Sequence, residues 1–205
     1  MNCAGCKEKA CSKGKDCTDV ANDAKEAYRA NAEVLKSLRV STSLESRYYM
    51  KKNRIEELIL YAEAMGYEKV GVAFCIGLEK EAELLFTVLS QYFVVSSVCC
   101  KVCGIDKSSF GLPRLHQGIN ADNGTAVGAE REAMCNPIGQ AMILNKENTD
   151  LNIILGLCIG HDAVFTNYSD APVTTLAVKD RVLAHNPLGA LYSGYHLKRL
   201  KRRTF

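Results

Sequence analysis

The chain changes its pattern of apolar and polar residues near residue 70. Before that point, apolar residues recur every three or four positions over 24–38 and again over 55–65, which predicts two helices. Residues 42–45, Thr-Ser-Leu-Glu, match a capping box and predict where the second helix begins, and Gly66 predicts where it ends. The first third of the chain is therefore expected to be helical.

Beyond residue 70 the pattern consists of short apolar runs. The run 70–75, VGVAFC, is uninterrupted and rich in β-branched residues, which is typical of a strand covered on both faces in a parallel sheet. Three further runs have this character, and helical periodicity separates most of them: 93–100, 151–158 and 172–180. The alternation predicts an α/β fold with a mainly parallel sheet, flanking helices and right-handed crossovers.

Length and composition narrow the class of protein. A chain of 205 residues with 47% apolar residues can form one compact domain with a short appendage. The N-terminus is polar, so we recognise no secretory signal, and no apolar stretch reaches the length of a membrane span. We therefore expect a cytoplasmic protein with a cysteine-rich arm over residues 1–18 and a single α/β domain, including the helical pair, over 19–205.

Two segments add little to this picture. Residues 104–128 have glycines, a proline and little periodicity, and a loop that long is a lid, a binding loop or a disordered segment. The last eight residues carry five basic side chains and no acid, so without them the formal net charge of +3 falls below zero. Because the basic bias belongs to this tail, a nucleic-acid surface spread over the fold is not expected, and a solvated terminal turn is favoured.

Four cysteines lie within the first seventeen residues in the pattern C-x2-C-x4-C-x5-C, with lysines between them: Cys3, Cys6, Cys11 and Cys17. In a reducing compartment, clustered thiols more often bind metal or do redox chemistry than form disulfides. Unrelated free thiols on an exposed arm are disfavoured because they oxidise. The pattern predicts a metal site on the arm. Zinc and a [4Fe–4S] cluster both accept four cysteines, and the spacing matches neither a zinc ribbon nor a ferredoxin.

A second group of cysteines lies where the predicted strands end. In open α/β sheets, ligands bind beyond the carboxyl ends of the strands. Cys135 precedes Asn136-Pro137, which predicts a helix start whose dipole favours a thiolate at Cys135. The alternative is that each thiol simply fills the core, as we assign for Cys99. The predicted second set of metal ligands, the strand-end cysteines, is Cys75, Cys100, Cys103, Cys135 and Cys158.

Other side chains near these strand ends are candidates for catalysis. His161 and Asp162 follow the third predicted strand, and His161 is a metal ligand, a proton donor or a helix-capping residue. Lys179 closes the fourth strand and either positions an anionic substrate or forms an ion pair on the rim. His185 precedes Asn186-Pro187, which repeats the helix-start pattern. The sequence contains no Walker A motif, no G-x-G-x-x-G and no G-x-S-x-G.

Taken together, several motifs resemble one known family. They are the cysteine pattern of the arm and the stretches AFCIGL, SVCCKV, AMCNPIGQA, GLCIGHD and APVTTLAVKDRVLAHNPLGALY. The set is similar to the predicted metal-binding proteins grouped as domain of unknown function 1847, which occur largely in anaerobic bacteria and archaea, and it covers the arm and most of residues 70–195. The resemblance implies cysteine-bound metal in a cytoplasmic protein with no defined reaction, and an anaerobic setting favours iron–sulfur.

Three functional hypotheses follow. In the favoured one, the arm binds one iron–sulfur cluster, and the strand-end cysteines bind a second cluster or an accessible metal that acts on a small molecule or exchanges electrons with a carrier. In the second, the chain is a non-enzymatic zinc module for partner binding or metal sensing. In the third, Cys100 and Cys103 form a C-x-x-C-like redox pair.

Overall fold

The computed structural model describes residues 1–114, 118–119, 126–127 and 130–202. The chain divides into two compact units, an N-terminal unit Met1–Asn53 and a C-terminal unit Arg54–Phe205. The sequence placed a boundary after residue 18 instead, and that division stays a prediction. No helix among the described residues is both long and apolar enough to cross a membrane.

The N-terminal unit is helical, as predicted, but its helices begin and end elsewhere. Helix α1 is Ala21–Ala30 and helix α2 is Ala32–Tyr48. Asn31 separates them because its backbone is extended, and its side chain caps α2 by accepting the N–H groups of residues 33 and 34 at 3.1 Å each. The predicted helix start at 42–45 is wrong, since those residues lie inside α2.

The C-terminal unit contains a four-stranded sheet, and the predicted α/β fold is confirmed. The strand order is β2-β1-β5-β6, and all pairs are parallel. A separate antiparallel pair joins two very short strands, β3 and β4. The strands are β1 Lys69–Phe74, β2 Val94–Cys99, β3 Gly118–Ile119, β4 Ala126–Val127, β5 Leu151–Leu155 and β6 Val173–Ala177.

Helices cover both faces of the sheet. The remaining helices are α3 Arg54–Met65, α4 Glu79–Leu89, α5 Pro137–Lys146, α6 His161–Tyr168, α7 Gly189–Tyr192 and α8 Gly194–Arg202. Apolar residues of α3 and α4 pack on one face, in a core that includes Leu58, Leu85 and Ile153. Apolar residues of α5 and α6 pack on the other face, in a core that includes Leu144 and Phe165. Burial on both faces explains why the strands read as continuous apolar runs.

The direction of winding reverses between the two central strands. The connection from β1 through α4 leads to β2 on one side, whereas the connection from β5 through α6 leads to β6 on the other. Since β1 and β5 are neighbours, their carboxyl ends form the topological switch point where open α/β sheets bind ligands. Cys75 and Cys158 follow these two strands closely.

The long loop predicted over 104–128 is partly described. It contains a 3-10 turn at Lys107–Phe110 and the strands β3 and β4. Residues 115–117, 120–125 and 128 lie outside the described part of the chain, and so does the basic end from residue 203 onward. The proposed roles of this loop and of the tail therefore stay predictions.

Candidate functional site

The arm carries exposed thiols on a segment without buried residues. It contains two 3-10 turns, Cys3–Gly5 and Ala10–Lys13, and all four of its cysteines are exposed. Lys9 has a left-handed backbone with φ of +44° and donates its N–H to the sulfur of Cys6 at 3.4 Å. The turn at Lys9 thus directs a backbone N–H at one of the four sulfurs of the arm.

The arm has the donor atoms of a metal site, although they are not already arranged around an ion. Among the described residues, no three His, Cys, Asp or Glu side chains are already arranged to hold a metal. The arm nevertheless supplies four soft sulfur donors, the set that zinc and iron–sulfur clusters take. Ligands on a polar segment without its own core become ordered as the ion binds, because binding and folding are coupled there.

The strand-end cysteines, in contrast, are held by the sheet and by α5. The backbone N–H of Cys100 donates to the carbonyl of Phe74, at the end of β1, at 2.8 Å. The carbonyl of Cys100 accepts the N–H of Asn136 at 2.8 Å. Cys100 therefore joins the end of the sheet to the start of α5.

The start of α5 is built as the sequence predicts. Buried Asn136 accepts the N–H of Gly139 at 2.9 Å, and Pro137 is the first helical residue, so the predicted N-cap is confirmed. Gln140 lies in the next turn, fully buried, and its amide donates to the carbonyls of Phe74 and Val98 at 3.2 and 2.7 Å. These bonds fix the position of α5 against the carboxyl end of the sheet.

This scaffold brings together two thiols that are far apart in sequence. The sulfur atoms of Cys100 and Cys135, hereafter the thiol pair, are 3.9 Å apart. Cys100 is only 3% exposed, whereas Cys135 is half-buried. The N–H of Ile76 donates to the sulfur of Cys100 at 3.4 Å, and buried Cys75 packs in the same cluster.

The thiol pair is electrostatically unequal. A hydrogen bond with Cys100, and then the charges of Lys101 and His161, lower the pKa of Cys135 to about 5 in spite of its partial burial. The same hydrogen bond, together with burial, raises the pKa of Cys100. The amine of Lys101 is held in place by the carbonyl of Ala133 at 2.6 Å. The same contact thus acts in opposite directions on the two thiols, lowering the pKa of Cys135 and raising that of Cys100.

Two cations approach the thiols from the end of β6. The guanidinium of Arg181 donates to the sulfur of Cys158 at 3.2 Å, and this bond raises the pKa of Arg181, as do the charges of Cys158, Cys75 and Cys135. A Cβ built on Gly77 would lie 3.2 Å from the amine of Lys179 and 4.0 Å from the sulfur of Cys75. Gly77 thus leaves room for a lysine amine near a thiol, as a glycine at this position predicts.

The predicted catalytic residues have different local settings. His161 is the first residue of α6, and its charge favours the thiolate of Cys135. Asp162 accepts the N–H of the next residue at 2.8 Å. The Nδ1 atom of His185 accepts the N–H of Asp180 at 3.1 Å and so supports a turn. The predicted helix start at Asn186 is wrong, because α7 begins at Gly189. Catalytic roles for these residues, and for Lys179, stay predictions.

The two other cysteines near β2 lie outside the thiol pair. Cys103 is exposed and has a φ of +69°, which places it in a left-handed kink. Cys99 packs against the same core as Cys100, and its sulfur accepts the N–H of Lys101 at 3.5 Å. The structure thus gives Cys100 a sulfur neighbour in Cys135, thirty-five residues away.

One residue that sequence reasoning missed, Asp106, holds the chain segment that leads to Cys135. The carboxylate of Asp106 accepts the N–H groups of Ser108 at 2.8 Å and of Glu132 at 2.9 Å. The hydrogen bonds from Ser108 lower the pKa of Asp106 to about 2. The Asp-x-Ser pattern is a local signal for the first contact. No sequence signal identifies the second, which joins segments 26 residues apart.

Comparison with known proteins places the chain in a family. The family model described as Protein of unknown function (DUF1847) matches residues 11–176. An uncharacterized protein of Methanocaldococcus jannaschii is 53% identical over 201 residues, which is 98% of either chain. No solved structure matches. The matched range begins at Cys11, so it includes two arm cysteines and all the strand-end cysteines. The resemblance in the motifs is confirmed, and the chain belongs to the DUF1847 family.

Proposed function

We propose that this protein is a cytoplasmic metal-binding protein whose arm holds an iron–sulfur cluster through Cys3, Cys6, Cys11 and Cys17. One observation carries the proposal: four exposed thiols share a segment that has no buried residue to order it. An isolated cluster of exposed thiols without a ligand would be open to oxidation. Bound metal both protects the sulfurs and organises the segment.

The arm's own residues fit the charge of such a site. Four thiolates around Zn²⁺ or a [4Fe–4S]²⁺ core leave a net charge of about −2. Four lysines lie between the cysteines, namely Lys7, Lys9, Lys13 and Lys15. The N–H of Lys9 already points at the sulfur of Cys6. The lysines offset the charge of such a site, and the N–H of Lys9 donates to one of its ligands.

Iron–sulfur is favoured over zinc for two reasons. The arm has a single C-x2-C, whereas a zinc ribbon has two. The family occurs largely in anaerobes, as the motif resemblance implies. When bound, such a cluster supplies one-electron transfer, and the partner is then an electron carrier or a small molecule that reacts at the carboxyl edge of the sheet.

Metal analysis under exclusion of oxygen tests the proposal. We expect about four iron and four sulfide per chain, with broad visible absorption, from protein purified anaerobically. Replacing Cys3 and Cys6 by Ser removes the iron and the colour, whereas Cys99→Ser, a thiol outside the arm, keeps both. A colourless protein with one zinc per chain would instead support the non-enzymatic zinc module. Unchanged metal in the Cys3/Cys6 variant would reject the arm as the site.

A further inference from the structure

We propose that the thiol pair is a centre for thiol–disulfide exchange, with Cys135 as the attacking thiol and Cys100 as the resolving thiol. The substrates are small disulfides that carry negative charge. This activity uses the C-terminal unit alone and does not depend on metal at the arm.

The exposure of the two sulfurs suits these separate roles. Half-buried Cys135 can be reached by a small molecule from solvent, whereas Cys100, at 3% exposed, is shielded from solvent and lies next to Cys135. An attacking thiol must be accessible, and a resolving thiol must lie directly behind it. The 3.9 Å separation of the sulfurs meets the second condition.

The backbone geometry also permits a disulfide. The N–H of Asn136 donates to the carbonyl of Cys100 at 2.8 Å. From standard backbone dimensions, the Cα atoms of Cys100 and Cys135 then lie no more than about 7.6 Å apart. Disulfides span about 4.4–6.8 Å between Cα atoms, so rotation about the side-chain bonds with a small backbone adjustment can close the bridge.

Basic side chains and a helix start lie close to Cys135. The amine of Lys101 is anchored beside it by the carbonyl of Ala133. His161 begins α6 nearby, and Cys135 itself lies just before the N-cap of the ten-residue helix α5. A thiolate among cations at a helix start is the usual setting of a reactive cysteine.

The exchange balances without a further reactant. The Cys135 thiolate attacks R–S–S–R, forms a Cys135–S–S–R bond and releases RS⁻. The proton of Cys100 then passes to the released RS⁻, and the Cys100 sulfur attacks the Cys135 sulfur, which forms the Cys100–Cys135 disulfide and releases the second RS⁻. The protein dithiol is oxidised, one small disulfide is reduced to two thiols, and excess small thiol reverses both steps.

The charges at the sheet edge set the preference for anions. Lys101, Lys179 and Arg181 have no carboxylate at ion-pair distance among the described residues. Asp180, which lies between the last two in sequence, directs its carboxylate to the N–H groups of residues 182 and 183, although its negative charge remains close by. Three basic side chains around the thiols raise the local concentration of anionic disulfides.

Mapping of the disulfide by mass spectrometry tests the proposal on the reduced full-length protein. Oxidised glutathione serves as the anionic probe and cystamine as the cationic probe of similar chemistry. We expect the Cys100–Cys135 disulfide as the product, formed at least about tenfold faster with oxidised glutathione at low salt. Cys99→Ser reacts as the wild type does, and Cys135→Ser forms no bridge.

A variant of the resolving thiol separates the two steps. Cys100→Ala avoids a buried hydroxyl, and it should accumulate a stable mixed disulfide at Cys135. A bridge between other cysteines, equal rates with both probes, or no mixed disulfide in this variant would overturn the proposal. The 3.9 Å separation would also suit two thiolates on one tetrahedral ion, about 3.8 Å apart. Metal that the Cys3/Cys6 variant retains and Cys100→Ala loses would therefore overturn it as well.

Discussion

The arm and the carboxyl edge of the sheet hold the same functional group in opposite ways. In the arm, four thiols are close in sequence, exposed, and without a core. At the sheet edge, Cys75, Cys100 and Cys135 pack together because strand ends and the start of α5 hold them in place. In the function we propose, the first arrangement gains its geometry from the metal that it binds. The second is fixed by the fold before anything binds.

The largest expected effect is on the free energy of unfolding, after a substitution at the carboxyl edge of the sheet. Gly156 follows β5 with a φ of +70°, and a Cβ there would overlap the side chain of Leu78. Gly156→Ala should lower the free energy of unfolding of the C-terminal unit by about 3 kcal/mol, because the change adds both backbone strain and overlap. Urea unfolding measures this effect.

A matched glycine provides the control for that change. Gly160 has a φ of +83°, and a Cβ there would have no neighbouring atom within 4 Å, so Gly160→Ala adds strain without overlap. We expect a loss of about 1 kcal/mol for it. Equal losses for the two variants would contradict the role assigned to the contact with Leu78. Metal content at the arm should be unchanged in both.

The next effect concerns reactivity with pH. Because the pKa of Cys135 is lowered to about 5, its thiolate persists at neutral pH and disappears as the pH falls through that value. Alkylation by iodoacetamide should change less than about twofold between pH 8 and pH 6, whereas an ordinary thiol loses roughly 80-fold. Peptide-resolved mass spectrometry follows the rate, and Lys101→Met should move the profile to higher pH. A Cys135 rate that falls as that of free cysteine does would show that its thiolate is not stabilised.

A smaller effect compares helix caps in the two units. Asn136→Ala should cost about 1 kcal/mol in the C-terminal unit and slow formation of the Cys100–Cys135 bridge, because the cap positions α5. Asn31→Ala removes the cap of α2 and should leave the bridge unaffected. Circular dichroism and the disulfide assay check both variants. Slower bridging in the Asn31 variant would contradict the distinction between the units.

The smallest effect concerns the Asp106 contacts near Cys135. Since the pKa of Asp106 is lowered to about 2 by its bonds with Ser108, its contribution is present above its ordinary pKa and is lost only as the pH falls through about 2. Amide exchange at Ser108 and Glu132 should therefore stay protected at pH 3 in the wild type and increase in Asp106→Ala at pH 7. Loss of that protection in the wild type at pH 3 would contradict the lowered pKa.

The fold could be predicted because its signals are local. Continuous apolar runs such as 70–75 identify strands buried on both faces, and Asn136-Pro137 identifies the start of α5. The errors arose where one local signal overrode another. The capping box at 42–45 lies inside α2, since the cap at Asn31 and the continuous helix dominate.

The cysteines of the site could be predicted, but which of them lie next to each other could not. Strand ends placed Cys75, Cys100 and Cys158 at one edge of the sheet. Sequence proximity suggested Cys103 as the redox partner of Cys100, whereas the hydrogen bond from Asn136 to Cys100 brings the sulfur of Cys135 next to that of Cys100. Such a contact depends on how α5 packs against the sheet, which periodicity does not report.

The contrast between arm and edge is tested most directly by metal and sulfide analysis of three anaerobically purified proteins. They are the wild type, the arm variant Cys3→Ser/Cys6→Ser and the edge variant Cys100→Ala/Cys135→Ser. We predict iron and sulfide in the wild type and in the edge variant, and their loss from the arm variant alone. Iron retained by the arm variant, or lost from the edge variant, would contradict the assignment of the metal to the arm.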